Sequence, residues 1–144
     1  MTPPRVDFYV LSTSGVADVP QMACRITEKA WKSGHRVFVH TGARFTASQM
    51  DNLLWTFRAE GFVPHTVYAT AANEDQYPVL VGAGSEPEGE LDVVINLGDG
   101  VIPFLARCDR IVEIVADNAE DRESGRQRYR LYREKGCSLH THRL

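Results

Sequence analysis

The sequence is short of cysteine, of long apolar runs and of phosphate-binding glycine patterns, and each shortage removes a class of protein. Three cysteines, Cys24, Cys108 and Cys137, are odd in number and lack CxxC spacing. They therefore do not make a disulfide framework and are expected as reduced thiols in a cytoplasmic protein. No apolar run reaches membrane-spanning length, and the opening MTPPRVDFYVL holds one apolar stretch of about seven residues with no cleavage-site pattern, so no membrane partner is expected. Neither GxGxxG nor GxxxxGK[ST] occurs, so the two best-defined phosphate cradles are missing. An overall basic excess is missing too, because the net charge is −3. That balance argues against a generic nucleic-acid coat.

What is present is one domain's worth of chain, 144 residues of which 43% are hydrophobic, enough for a core without a disulfide or metal staple. The charge is strongly local. Residues 122–135 hold six Lys/Arg against two acids, leaving ten basic and seventeen acidic residues, a net −7, elsewhere.

Residues 6–11 (VDFYVL) predict a buried strand that ends in a Ser/Thr/Gly turn cluster. A helix is expected from Asp18 as N-cap, with Pro20 in the first turn, to Gly34. Residues 36–40 (RVFVH) read as a second strand, and 46–49 (TASQ) as a capping box opening a helix with Met50, Leu53, Leu54 and Phe57 on one face. Residues 62–68 predict a third strand, at an edge or kinked because of Pro64. Residues 79–81 are a short apolar run and 82–90 a loop, further strands are expected at 91–97 and 110–115, with a short helix at 102–107 and a last helix from an Asn118 cap to Gly136. The alternation predicts an α/β fold, a single Rossmann-like domain over 1–144 with a largely parallel sheet and helices on both faces. Residues 137–144 read as a flexible tail.

Several polar clusters invite a chemical reading and lack the partners for one. Gly98-Asp99-Gly100 follows a strand and could hold a phosphate or ribose, but Gly and Asp also end strands in the ordinary way. Cys137, His140 and His142 bring a thiol and two imidazoles close in sequence without a fourth zinc ligand. His40 and His65 have no nucleophile at a recognisable spacing and are expected to be packed against the sheet. No catalytic residue, metal or cofactor is expected.

Two features remain. On a helical wheel the stripe around Met50 excludes Trp55, which lies about 140° from it, either covering the following connection or, with Phe62, anchoring another protein. On the last helix, with Arg122 at zero, Arg126, Tyr129, Arg130 and Arg133 fall at about 40°, −20°, 80° and 20°. Glu123 and Glu134 lie outside that arc, so the stripe is expected to be unpaired within its helix, and Arg128 and Leu131, on the opposite side, are expected to serve the fold. Arginine suits bidentate capture of carboxylate or phosphate, and Tyr129 adds a flat apolar surface. An acidic peptide with a free carboxyl end and an aromatic side chain fits that surface, and so does single-stranded nucleic acid.

The order and spacing of VDFYVL, ACRITEKAWKSGHRVFVH, DNLLWTF, GFVPH, DVVINL and RQRYRLYREKG resemble the chi subunit of the bacterial DNA polymerase III holoenzyme over nearly the whole chain. The resemblance implies a Rossmann-like fold without nucleotide hydrolysis. It further implies a clamp-loader accessory role in DNA replication that bridges the psi subunit and the acidic C-terminal tail of single-stranded DNA-binding protein, with DNA met indirectly at the replisome. By the same resemblance, Val115, Arg122, Arg126, Tyr129, Arg130 and Arg133 match the tail-binding patch. Arg126 and Arg130 fall to the terminal carboxylate and acidic side chains, and Tyr129 and Val115 to the aromatic pocket. Trp55 and Phe62 match the psi-contacting aromatics, a surface for which a helicase-like repair protein competes in that family. The competing expectation is a nucleotide- or nucleic-acid-dependent α/β enzyme that grips phosphates with the basic helix, which fold class alone does not exclude.

Overall fold

The computed structural model describes residues 3–58, 62–68, 77–84 and 86–144. Seven strands form one sheet: β1 (Arg5–Val10), β2 (Val37–His40), β3 (His65–Val67), β4 (Val79–Gly82), β5 (Leu91–Asn96), β6 (Cys108–Val115) and β7 (Ser138–Arg143). Their spatial order is β3-β4-β2-β5-β6-β1-β7, and every pairing is parallel. Central parallel strands are covered on both faces, which is why β5 and β6 are nearly continuous apolar runs.

Helices α1 (Asp18–Lys32) and α2 (Ala47–Thr56) cover one face, packing Ala23, Cys24, Met50 and Leu54 against Val39, Val81, Ile95 and Val112. Helix α3 (Ala119–Glu134) covers the other, where Tyr132 joins Val6, Phe8, Phe38, Val94 and Ile111. The expected α/β sheet with helices on both faces is what forms. The capping box forms as read: Thr46 Oγ1 accepts from Gln49 N at 3.2 Å, and Thr46 N donates to Gln49 Oε1 at 2.9 Å. Asn118 caps α3 by accepting from Asp121 N at 2.8 Å. Gly136, at φ +83°, takes the left-handed conformation that ends the helix.

Five expectations are corrected. Asp18 is not the N-cap of α1; Ala17 stands there without a side-chain bond, and Asp18 N donates to Gly15 O in the preceding turn. The strand expected at 62–68 shrinks to β3, because Pro64 has no N–H for a ladder, and β3 is the sheet edge that the proline favours. The helix expected at 102–107 is only a 3-10 turn at Leu105–Arg107, since Ile102 and Phe104 turn inward to the core on the α3 side. Leu131, expected on the inner side of α3, is 43% exposed.

The fifth correction concerns the C-terminal residues: 138–143 are not a flexible tail but strand β7, paired along β1 from Arg5↔Ser138 to Val10↔Arg143. The polar string SLHTHR gave no strand signal because an edge strand has little to bury. Its side-chain anchor is a buried carboxylate. Asp7, fully buried on β1, accepts from His142 Nε2 at 2.8 Å, from Arg110 Nε at 2.6 Å and from Arg5 Nη2 at 3.0 Å, while the His142 ring stacks on Tyr9 with centroids 4.7 Å apart. Burial alone raises the Asp7 pKa, but the bonds from Arg5, His142 and Arg110 outweigh it and hold the carboxyl at about 2.

Candidate functional site

The position of α3 fixes the most chemically distinctive surface. Gly125 lets the helix lie directly on β6, since a Cβ there would come within 3.0 Å of Val115 Cγ2. One turn on, Tyr129 tilts onto Phe8 with centroids 5.4 Å apart. Beneath them Glu113, fully enclosed on β6, accepts from Tyr132 Oη at 2.5 Å, Asn96 Nδ2 at 2.7 Å and Arg128 Nε at 2.9 Å. Burial raises the Glu113 pKa, and Arg128, Tyr132 and Asn96 work against that shift. Burial and the Glu113 carboxylate push the Tyr132 hydroxyl up, so it stays a donor. Arg128 therefore serves the fold, as the helical wheel places it away from the stripe.

Between α3 and the sheet lies a groove of about 380 Å³ lined by Phe8, Val10, Val115, Gly125 and Tyr129 on its apolar side and by Arg122, Arg126, Arg130, Arg133 and Arg143, with Thr141, on its polar side. All six residues singled out in the sequence for the basic patch line it. Val115, Val10 and Arg143 form one row across three strands, with Phe8 and Thr141 a second. The sequence pattern missed Phe8, Val10, Thr141 and Arg143. Register across parallel strands brings these together, and no local spacing encodes it.

Contrary to the expectation from the wheel, the stripe is paired in part. Arg126 donates to Glu123 Oε2 at 2.9 Å, because i,i+3 neighbours meet although they lie outside a common arc, and Arg122 pairs with Asp117 in the turn before the helix. Among the described residues, Arg130, Arg133 and Arg143 have no carboxylate partner. The groove thus offers an apolar floor, three unneutralised guanidinium groups and two that are each already paired with a carboxylate of their own. It suits a ligand with several acidic groups and one flat apolar group.

At the opposite edge of the sheet Trp55 and Phe62 meet with ring centroids 5.4 Å apart and remain 47% and 59% exposed. Trp55 also packs on His65, at 4.4 Å. The alternative that Trp55 covers the connection at 60–62 falls partly outside the described residues, but its contact with Phe62 leaves both rings open to solvent. His65 itself is buried, with its ring nitrogens facing Val63 O at 2.6 Å and Asp51 O at 3.0 Å. Six strand spacings of about 4.8 Å put the β3 and β7 edges roughly 29 Å apart.

The remaining clusters do not assemble into sites. Asn96 closes the Gly98-Asp99-Gly100 turn, donating to Gly100 O at 2.7 Å and accepting from Gly98 N at 3.0 Å, so its polar groups serve the strand end. His40 packs beside Gly98 and Phe104, and burial lowers its pKa. Cys137 packs into the core on the α3 side while His142 turns to Asp7 on the opposite face, which separates the thiol from that imidazole. Burial pushes the Cys24 and Cys108 thiols up to about 12, which leaves them as poor nucleophiles.

Comparison with known proteins gives one consistent result. The family model described as "DNA polymerase III chi subunit, HolC" matches residues 3–140. A protein named DNA polymerase III subunit chi from Pseudomonas aeruginosa is 37% identical over 140 residues, covering 97% of this chain and 96% of its own. Proteins of the same name from Escherichia coli K12 and Haemophilus influenzae are each 27% identical, covering 93% of this chain and 94% and 93% of theirs.

Proposed function

The chain belongs to the DNA polymerase III chi subunit family, and from that premise we propose that it is a non-catalytic adaptor of the clamp-loader complex with two separate protein-binding surfaces. The groove under α3 takes the acidic C-terminal tail of single-stranded DNA-binding protein, and the Trp55–Phe62 pair takes the psi subunit. A helicase-like repair protein is the natural competitor at the aromatic surface.

The observation that carries this reading is the groove itself, in which Tyr129, Phe8, Val10 and Val115 provide an apolar seat directly beside Arg130, Arg133 and Arg143. A terminal aromatic side chain fills the seat, and its free carboxylate meets guanidinium groups whose fork matches it bidentately. Arg126 contributes by exchanging Glu123 for a ligand carboxylate, and so adds less net energy than Arg130. Adaptor action then follows from multivalency, because many tails presented on one coated strand raise the effective concentration at a modest site.

The test is a titration with three probes: an acidic peptide ending in Asp-Phe with a free carboxylate, the same peptide amidated, and a single-stranded oligonucleotide. Charge-assisted hydrogen bonds of about 1.5–3 kcal/mol predict a roughly 10- to 100-fold loss on amidation or on Arg130→Ala, and a smaller loss for Arg126→Ala. Equal affinity for both peptides, or binding of the oligonucleotide alone, contradicts the assignment.

A further inference from the structure

The groove reaches strand β7, which lines it with Thr141 and Arg143, and the outer edge of that strand has a polarity of its own. Strand β7 is last in the sheet and pairs only with β1 among the described residues. Ser138 N donates to Pro4 O at 3.3 Å and Leu144 N to Val10 O at 3.0 Å, so the even-numbered residues turn their main chain toward β1. In a parallel ladder the intervening residues point the other way, which directs the N–H and C=O groups of Leu139, Thr141 and Arg143 outward. The side chains of the same three residues face α3: Leu139 packs into the core on that side, and Thr141 and Arg143 line the groove. One set of residues thus offers free ladder groups and groove contacts together.

We propose that the acidic peptide binds as an eighth strand on the outer edge of β7, with Arg143 as a further binding residue. The inference rests on the peptide reading above and adds its geometry. A strand placed about 4.8 Å beyond β7 extends the rows Val115–Val10–Arg143 and Phe8–Thr141 by one residue each. Alternate peptide side chains then enter the groove lined by the arginines, while the main chain is satisfied by the edge. The edge is six residues long without a proline, which leaves its ladder groups available. Charge selects the occupant. A second copy of β7 would bring its own Arg143 and the arginine-lined groove against their like, whereas an acidic strand neutralises them. A nucleic acid has no main-chain N–H and C=O alternation to offer.

The test leaves the protein intact and alters the peptide. Two versions of the acidic free-carboxylate peptide are made, one N-methylated at two odd positions and the other at two even positions, and titrated against the full chain by fluorescence anisotropy. Losing two ladder bonds at about fivefold each predicts that one version binds roughly 30-fold more weakly while the other stays within about twofold of the parent. Arg143→Ala weakens the parent peptide by about tenfold or more. Equal effects of the two methylation patterns, with the amidation effect still present, overturn the strand geometry while leaving the peptide assignment standing. Failure of the unmodified peptide to bind, binding of the oligonucleotide alone, or a β7-mediated dimer in sedimentation overturns both.

Discussion

Replacing Arg128 by methionine separates what α3 does for the fold from what it does for a ligand. Arg128 is 15% exposed at the side chain and Glu113 is 2% exposed, and their contact is 2.9 Å. Methionine keeps most of the aliphatic stem but leaves Glu113 Oε1 without its donor in a dry site, while Oε2 keeps Tyr132 and Asn96. Breaking such a pair from one side costs roughly 3 kcal/mol, the low end of the range for buried pairs because Arg128 keeps some contact with water. For a chain of this length that is roughly 10 °C in Tm, at about 3 °C per kcal/mol. Glu113→Gln removes the stranded charge, so the double variant E113Q/R128M recovers at least about 1 kcal/mol relative to the sum of the singles. Urea unfolding followed by far-UV circular dichroism measures all three. A cost below about 1 kcal/mol for Arg128→Met, or additivity within about 0.5 kcal/mol, refutes the claim that this buried pair fixes α3 on the sheet.

Three other outcomes follow from named contacts. Asp7 has a folded pKa of about 2 against an ordinary value of 3.8, so its contribution, roughly 2 kcal/mol, is complete above about pH 4 and is lost as pH falls toward 2. Acid titration of the Asp7→Asn variant, compared with the parent, shows a smaller stability loss over that window, and an unchanged acid profile contradicts it. Gly125→Ala gains up to about 1 kcal/mol of helix propensity yet forces a Cβ to 3.0 Å from Val115 Cγ2, so it destabilises alone and recovers when combined with Val115→Ala in denaturant unfolding. Trp55→Ala, at a ring 47% exposed, lowers stability by about 1 kcal/mol while abolishing co-purification with a psi subunit; global unfolding instead assigns Trp55 to the core.

The sequence carried the architecture wherever burial is two-sided or a cap is chemical. The apolar runs of β1, β5 and β6, the Thr46 capping box and the Asn118 cap were all legible because each is a local pattern with a local cause. Strand β7 was not, because His142 is held by a carboxylate 135 residues away and an edge strand needs no apolar signature. The groove divides in the same way. Its helical wall was readable from spacing alone, and the resemblance supplied Val115, whereas Phe8, Val10, Thr141 and Arg143 enter through register. Pairing of the arginines is hidden for a related reason: angular position on a wheel ignores that Glu123 reaches Arg126 along the axis, and that Asp117 reaches Arg122 from outside the helix.

Bridging is the central claim, and it depends on the two surfaces lying at opposite edges of the sheet, roughly 29 Å apart. Its most direct test is the affinity of the free-carboxylate acidic peptide for the protein alone and for the protein saturated with a psi subunit. Independent surfaces predict one ternary complex and a peptide Kd unchanged within about twofold. Displacement of either partner by the other would show that the protein holds one partner at a time and does not bridge.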